Sequence, residues 1–100
     1  MEDETVHRFR LFVAGSTHNS IRASSNLARF CRIHLPGRHS IDIVDVFQQP
    51  AVALEERVFL TPTLVRLEPG PVRRIVGTLS EEQPLRDALG LPPAPDETAA

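Results

Sequence analysis

Apolar residues recur along this chain at two periods. From His7 to Val13 they alternate. Phe9, Leu11 and Val13 share one face, and Arg8, Arg10 and Phe12 share the other, which predicts a first strand. Ala14-Gly15-Ser16-Thr17 breaks that strand and supplies N-cap residues for a helix. From His18 to His34 the period lengthens. Ile21, Leu27, Ala28, Cys31 and Leu35 predict the apolar face of a helix, with Arg22, Arg29 and Arg32 off it and Pro36-Gly37 ending it. Ser40 to Phe47 predicts a second strand. A helix connects it to the first, so the two are expected to be parallel. Pro50 suits a first helical position and opens a short helix to about Val58. Thr61-Pro62-Thr63 is a rigid break. Leu64–Glu68 and Val72–Gly77 predict a hairpin turning through Glu68-Pro69-Gly70-Pro71. Ser80 and Gln83 read as a capping box before a last helix, which carries Leu85, Ala88 and Leu89 and ends at Gly90.

The order β-α-β-α-β-β-α joins a parallel pair to an antiparallel pair with helices on the faces. This is the arrangement of a thioredoxin-like α/β domain. Thr61-Pro62 enters the third strand where that fold holds a cis-proline, so Pro62 is the structural cis-proline candidate. At 100 residues the chain predicts one domain, residues 7–91. A leader at 1–6 and a proline-rich tail at 92–100 are expected to be disordered. The core is small, which implies modest stability without a partner.

Composition narrows the chemistry. No apolar run approaches the ~20 residues that span a bilayer, and the acidic Met1-Glu2-Asp3-Glu4 start has no secretory h-region. The expectation is a cytoplasmic protein with no membrane partner. All 11 basic residues are arginine. Residues 1–4 carry −3, residues 5–80 carry +5 and residues 81–100 carry −4, which gives the net charge of −2. The acidic ends, the pI near 6.0 and the lack of Tyr and Trp disfavour nucleic acid.

No catalytic set survives inspection. A redox enzyme of this fold needs a reactive thiol where the first helix begins, but that loop reads Gly15-Ser16-Thr17-His18. Cys31 lies two to three turns further on, on the apolar face, as a packing residue. The four histidines lack metal-ligand spacing, so no metal or other cofactor is expected. Asp42 and Asp45 fall on opposite faces of a strand and are not an acid–base pair. Ser16 and Ser20 beside His18 read as helix-start residues and not as an activated nucleophile. The remaining signal is arginine, which suits bidentate contact with carboxylates and phosphates, at a protein interface or at the nucleic-acid surface that charge and composition disfavour.

Several blocks together resemble the KaiB family: Leu11-Phe12-Val13-Ala14-Gly15-Ser16-Thr17, Asn19-Ser20-Ile21-Arg22-Ala23, Ile43-Val44-Asp45-Val46, Gln49-Pro50, Leu60-Thr61-Pro62-Thr63-Leu64 and Pro71-Val72-Arg73-Arg74-Ile75-Val76-Gly77. The resemblance covers about residues 7–80. It implies a non-enzymatic clock, timer or stress-response regulator that binds a KaiC-type ring ATPase, with KaiA or a histidine kinase as further partners. It also implies fold switching, between a thioredoxin-like form and a resting form with a rearranged C-terminal half. The resting form is usually oligomeric, so a dimer or tetramer is implied as well. By the same resemblance Arg57 and Arg66 stand on the partner-facing segment, and Arg22, Arg73 and Arg74 belong to a basic patch. His18 and Thr78 depart from the family pattern. Pro84, Gly90, Pro92 and Pro93 make the last segment a poor strand, so the thioredoxin-like form is expected to be the more populated. The Lys-free composition and short tail point to a bacterium outside the cyanobacteria. The alternatives are the sensor module of a KaiC-associated histidine kinase, which shares the fold, and a thioredoxin-like oxidoreductase, against which the missing thiol speaks.

Overall fold

The structure is a computed structural model that describes residues 5–91. The elements follow the expected order: β1 His7–Val13, α1 His18–His34, β2 His39–Asp45, α2 Pro50–Glu55, β3 Thr63–Glu68, β4 Arg73–Val76 and α3 Glu82–Leu89. They form one sheet of order β2-β1-β3-β4. β1 pairs parallel to β2 and antiparallel to β3, and β3 pairs antiparallel to β4. The expected tail at 92–100 and most of the leader lie outside the described residues.

β1 lies inside the sheet and buries apolar residues on both faces, three on one and Phe12 on the other. Phe9, Leu11 and Val13 pack with Ala23, Leu27, Phe30 and Cys31 of α1, Leu64 of β3, and Leu85 and Leu89 of α3. Phe12 points the other way and packs with Val44, Ala53, Val58 and Val65. α1 and α3 therefore cover one face of the sheet, and α2 covers the other. Alternation along β1 alone decides this, since successive strand side chains leave opposite faces.

Three local readings change. On α1, Ile21 and Ala28 are exposed, and the buried face is Ser20, Ala23, Leu27, Phe30 and Cys31. Ser20 sets this rotation. Its Oγ accepts the Ala14 N–H at 3.0 Å and the Thr17 hydroxyl at 2.8 Å, which turns residues 20, 27 and 31 toward the sheet. α2 stops at Glu55, short of Val58. Arg57 adopts φ 56°, its N–H bonds the Leu54 carbonyl, and the Val58 N–H reaches back to the Ala53 carbonyl at 2.9 Å. That left-handed closure turns Val58 into the core.

The capping box is the third change. Glu81, not Ser80, precedes α3, no side chain caps the helix, and the Ser80 hydroxyl lies 3.1 Å from that of Thr78. Pro84 explains the shift. With Ser80 as cap, Pro84 would be the first residue required to donate within the helix, and it has no N–H. Starting one residue later places Pro84 among the donors that have no helical partner in any case. Gly90 closes α3 at φ 70°, as its position predicts.

A candidate partner-binding face

α2 ends beside the entry to β3, and that corner carries three exposed apolar side chains. Phe59 is 79% exposed, Leu60 63% and Val76 57%. The Thr63 hydroxyl donates to the Leu60 carbonyl at 2.6 Å, and the Gly77 N–H donates to the Pro62 carbonyl at 3.0 Å. These bonds tie the loop to both strands of the hairpin. The Thr61–Pro62 peptide is cis, as the fold analogy anticipates. Arg57, Phe59, Leu60, Arg74 and Val76 line a shallow recess of about 160 Å3.

Arg57 is held there at a cost. A residue with a Cβ in the left-handed region loses roughly 1–2 kcal/mol relative to the right-handed one. Its backbone is braced from β4. The Arg74 guanidinium donates to the carbonyls of Glu56 and, at 3.5 Å, of Arg57. The Arg74 guanidinium also lies 3.8 Å from the Glu56 carboxylate, whose other oxygen lies 3.6 Å from Arg10. Arg10 in turn pairs with Asp42 at 3.1 Å. Strain maintained by surrounding contacts is a mark of functional segments.

The five arginines singled out in the sequence do not form one cluster. Register puts Arg74 on the α2 face of β4 and Arg73 on the opposite face. Arg57 and Arg74 therefore come together, and Arg73 is exposed behind them. Arg22 lies on α1, across the sheet from α2. Arg66 is not a surface residue. It is 7% exposed, its Nη2 donates to the Pro71 carbonyl at 3.1 Å, and its Nε has no hydrogen-bond partner among the described residues. Burial, with the charge of Arg73 beside it, lowers the Arg66 pKa. The reason lies in the register: Arg66 sits opposite Phe9, and Phe9 points into the larger core.

Phe59 and Leu60 were missed in the sequence. The signal was present, because both follow the end of α2 and precede the proline break, where no periodicity assigns them to a core.

Where redox enzymes of this fold carry their thiol, this chain has Ser16 and Thr17, both exposed. Cys31 is fully buried, and burial raises its pKa to about 11. Among the described residues, no three His, Cys, Asp or Glu side chains are placed to hold a metal ion. No described helix is long and apolar enough to cross a membrane.

The family model for the KaiB domain matches residues 10–91. The chain belongs to the KaiB family. It is 35% identical over 91 residues to the circadian clock oscillator protein KaiB of Synechococcus elongatus, covering 91% of this chain and 89% of the relative. It is 39% identical to the KaiB of Prochlorococcus marinus strain MIT 9312, covering 91% and 87%. Among solved structures, it matches the N-terminal domain of Synechococcus elongatus SasA with a TM-score of 0.67 at 19% identity, covering 90% and 83%. Fasciola hepatica thioredoxin matches with a TM-score of 0.69 at 19% identity, covering 87% and 81%. At such identity the two structures bear on the fold alone. The fold is thioredoxin-like, and membership of the KaiB family makes this a clock-protein relative on a redox-enzyme scaffold.

Proposed function

We infer that this KaiB-family chain is a non-enzymatic regulator that acts in the cytoplasm by binding a KaiC-type ring ATPase. The observation that carries the reading is the corner where α2 meets β3. There Arg57, strained and braced by Arg74, stands among Phe59, Leu60 and Val76. Exposed apolar side chains grouped with arginine are what an interface centre requires. Arg73, on the other face of β4, and the buried Arg66 lie outside this corner. KaiA or a histidine kinase as further partners, and a dimer or tetramer in the resting state, belong to the same reading.

The reading includes fold switching. The arrangement described above is the binding-competent one, and Pro84 and Gly90 favour it over a form with a strand in the last segment. Backbone chemical shifts of the free protein test this: helical shifts across 82–89 are expected, and strand shifts there would refute it. The histidine-kinase sensor reading is weaker, because identity is 35–39% to KaiB proteins and 19% to the SasA domain.

The decisive experiment is size-exclusion co-migration with the host's own KaiC-type ATPase in the presence of ATP. Wild type is expected to co-migrate, and Arg57→Glu and Phe59→Ser are expected to be lost from the complex. Binding that survives both substitutions would discard this face and keep the family. No binding to an active ATPase after long incubation would overturn the proposal.

A further inference from the structure

The outer surface of α1 is separate from the Arg57–Arg74 corner, because α1 and α2 lie on opposite faces of the sheet. Arg22, Arg29 and Arg32 stand at i, i+7 and i+10. Helical geometry lines them up on one stripe opposite the buried Ala23, Leu27 and Cys31. At 1.5 Å per residue the stripe is about 15 Å long. α1 carries no Asp or Glu, and all three arginines are exposed. None of the three makes an ion pair among the described residues, whereas Arg10, Arg74 and Arg86 each have a carboxylate within 4.0 Å. Arg29 and Arg32 are like charges at i and i+3, which oppose the helix they sit on. No described residue pairs with this row of charge.

One bank of the stripe drops into a trough of about 420 Å3 between α1 and the free edge of β2. Its walls include Val13, Ile21, Ser24, Ala28 and Ile43. Ile21 is 56% exposed and Ile43 44%, although both are aliphatic. An apolar recess with a cationic bank runs along a single helix.

We propose that this surface receives an amphipathic helix with an acidic flank, its apolar ridge in the trough and its carboxylates against Arg22, Arg29 and Arg32. Recognition would be helix-in-groove, with bidentate guanidinium–carboxylate pairs fixing the register. The shape argues against an anionic membrane, since a lipid surface is met by apolar side chains projecting beyond the arginines, and here they line a recess. The charge argues against a second copy of this chain, because α1 against α1 would set arginine against arginine.

The test uses the full chain and a labelled helical peptide of about 20 residues, built of Ala and Glu with a Leu ridge, read by fluorescence anisotropy. Saturable binding is expected, weakened about tenfold or more by Arg29→Glu combined with Arg32→Glu. Ala28→Trp, which fills the trough and leaves the charges, is expected to weaken it as well. The same peptide with Lys for Glu is expected not to bind. Arg57→Glu should bind like wild type, which separates this surface from the ATPase-binding face. Absence of saturable binding, or equal binding by the folded charge-reversal and trough variants, would overturn the proposal. So would binding by phosphatidylcholine–phosphatidylserine vesicles, lost in the charge-reversal variant, with no binding of the peptide.

Discussion

Alkaline pH should expose the one buried thiol as a single titrating load on stability. The chain contains neither Lys nor Tyr, so Cys31 is the only side chain that ordinarily titrates between pH 8 and 11. Burial moves its pKa from 9.0 to about 11. The folded state therefore keeps its proton where the unfolded state has released it. Between those values the unfolded chain binds fewer protons, so stability falls as pH rises. With these two values the loss is negligible at pH 8 and about 1.4 kcal/mol at pH 10. For a domain of this size that lowers Tm by roughly 5–10 °C. The assay is thermal unfolding by circular dichroism at pH 8, 9 and 10, on wild type and Cys31→Ala. The variant starts lower, because a packed side chain is lost, but its curve should be flat. Thiol labelling gives an independent reading. At pH 8 the folded thiolate fraction is about 100-fold below that of a free cysteine, so a disulfide reagent should react only after unfolding. An equal slope in wild type and Cys31→Ala, or native-state labelling at the free-cysteine rate, would refute the reasoning. The second result would also reopen a redox role.

Three further outcomes follow from named contacts. Ser20→Ala should destabilise by about 1–3 kcal/mol in urea unfolding, since it leaves the Ala14 N–H without its acceptor. Arg57→Gly should raise Tm by a few degrees, by roughly 1 kcal/mol of relieved left-handed strain, while it weakens ATPase binding. That opposite movement marks a residue kept for contact and not for stability. Arg66→Met should be at least as stable as wild type, because a buried guanidinium with an unpartnered Nε contributes little that a packed apolar chain does not. A loss above about 2 kcal/mol in that variant would show that the hydrogen bond to Pro71 holds the hairpin.

The alternation of β1 carried most of the architecture, because residues pointing to both faces define a central strand and so place helices on each side. The errors arose where a local rule met a tertiary demand. Ile21 and Ala28 satisfy a helical period, but the hydroxyl of Ser20 had to reach the β1–α1 turn, and that rotated α1. Ser80 and Gln83 satisfy a cap motif, but Pro84 had no N–H to give. For the candidate site, Arg57 and Arg74 were visible as charge. Their meeting was not, since it depends on a left-handed turn at a residue that is not glycine. Arg66 was misplaced for the simplest reason. Strand alternation permits two faces, and only the pairing of β1 with β3 says which one is covered.

The central position of β1 also bears on how the chain emerges from the ribosome. β1 is made before both of its partners: Asp42, opposite Arg10, follows 32 residues later, and β3 follows later still. Until then β1, with Phe9, Leu11, Phe12 and Val13, has no strand paired to either edge. A short, strongly apolar strand left waiting in this way is a template for pairing with its neighbours on other chains. The acidic run Glu2-Asp3-Glu4 just ahead of it, and Arg8 and Arg10 within it, supply the gatekeeping charge that such a segment needs during synthesis.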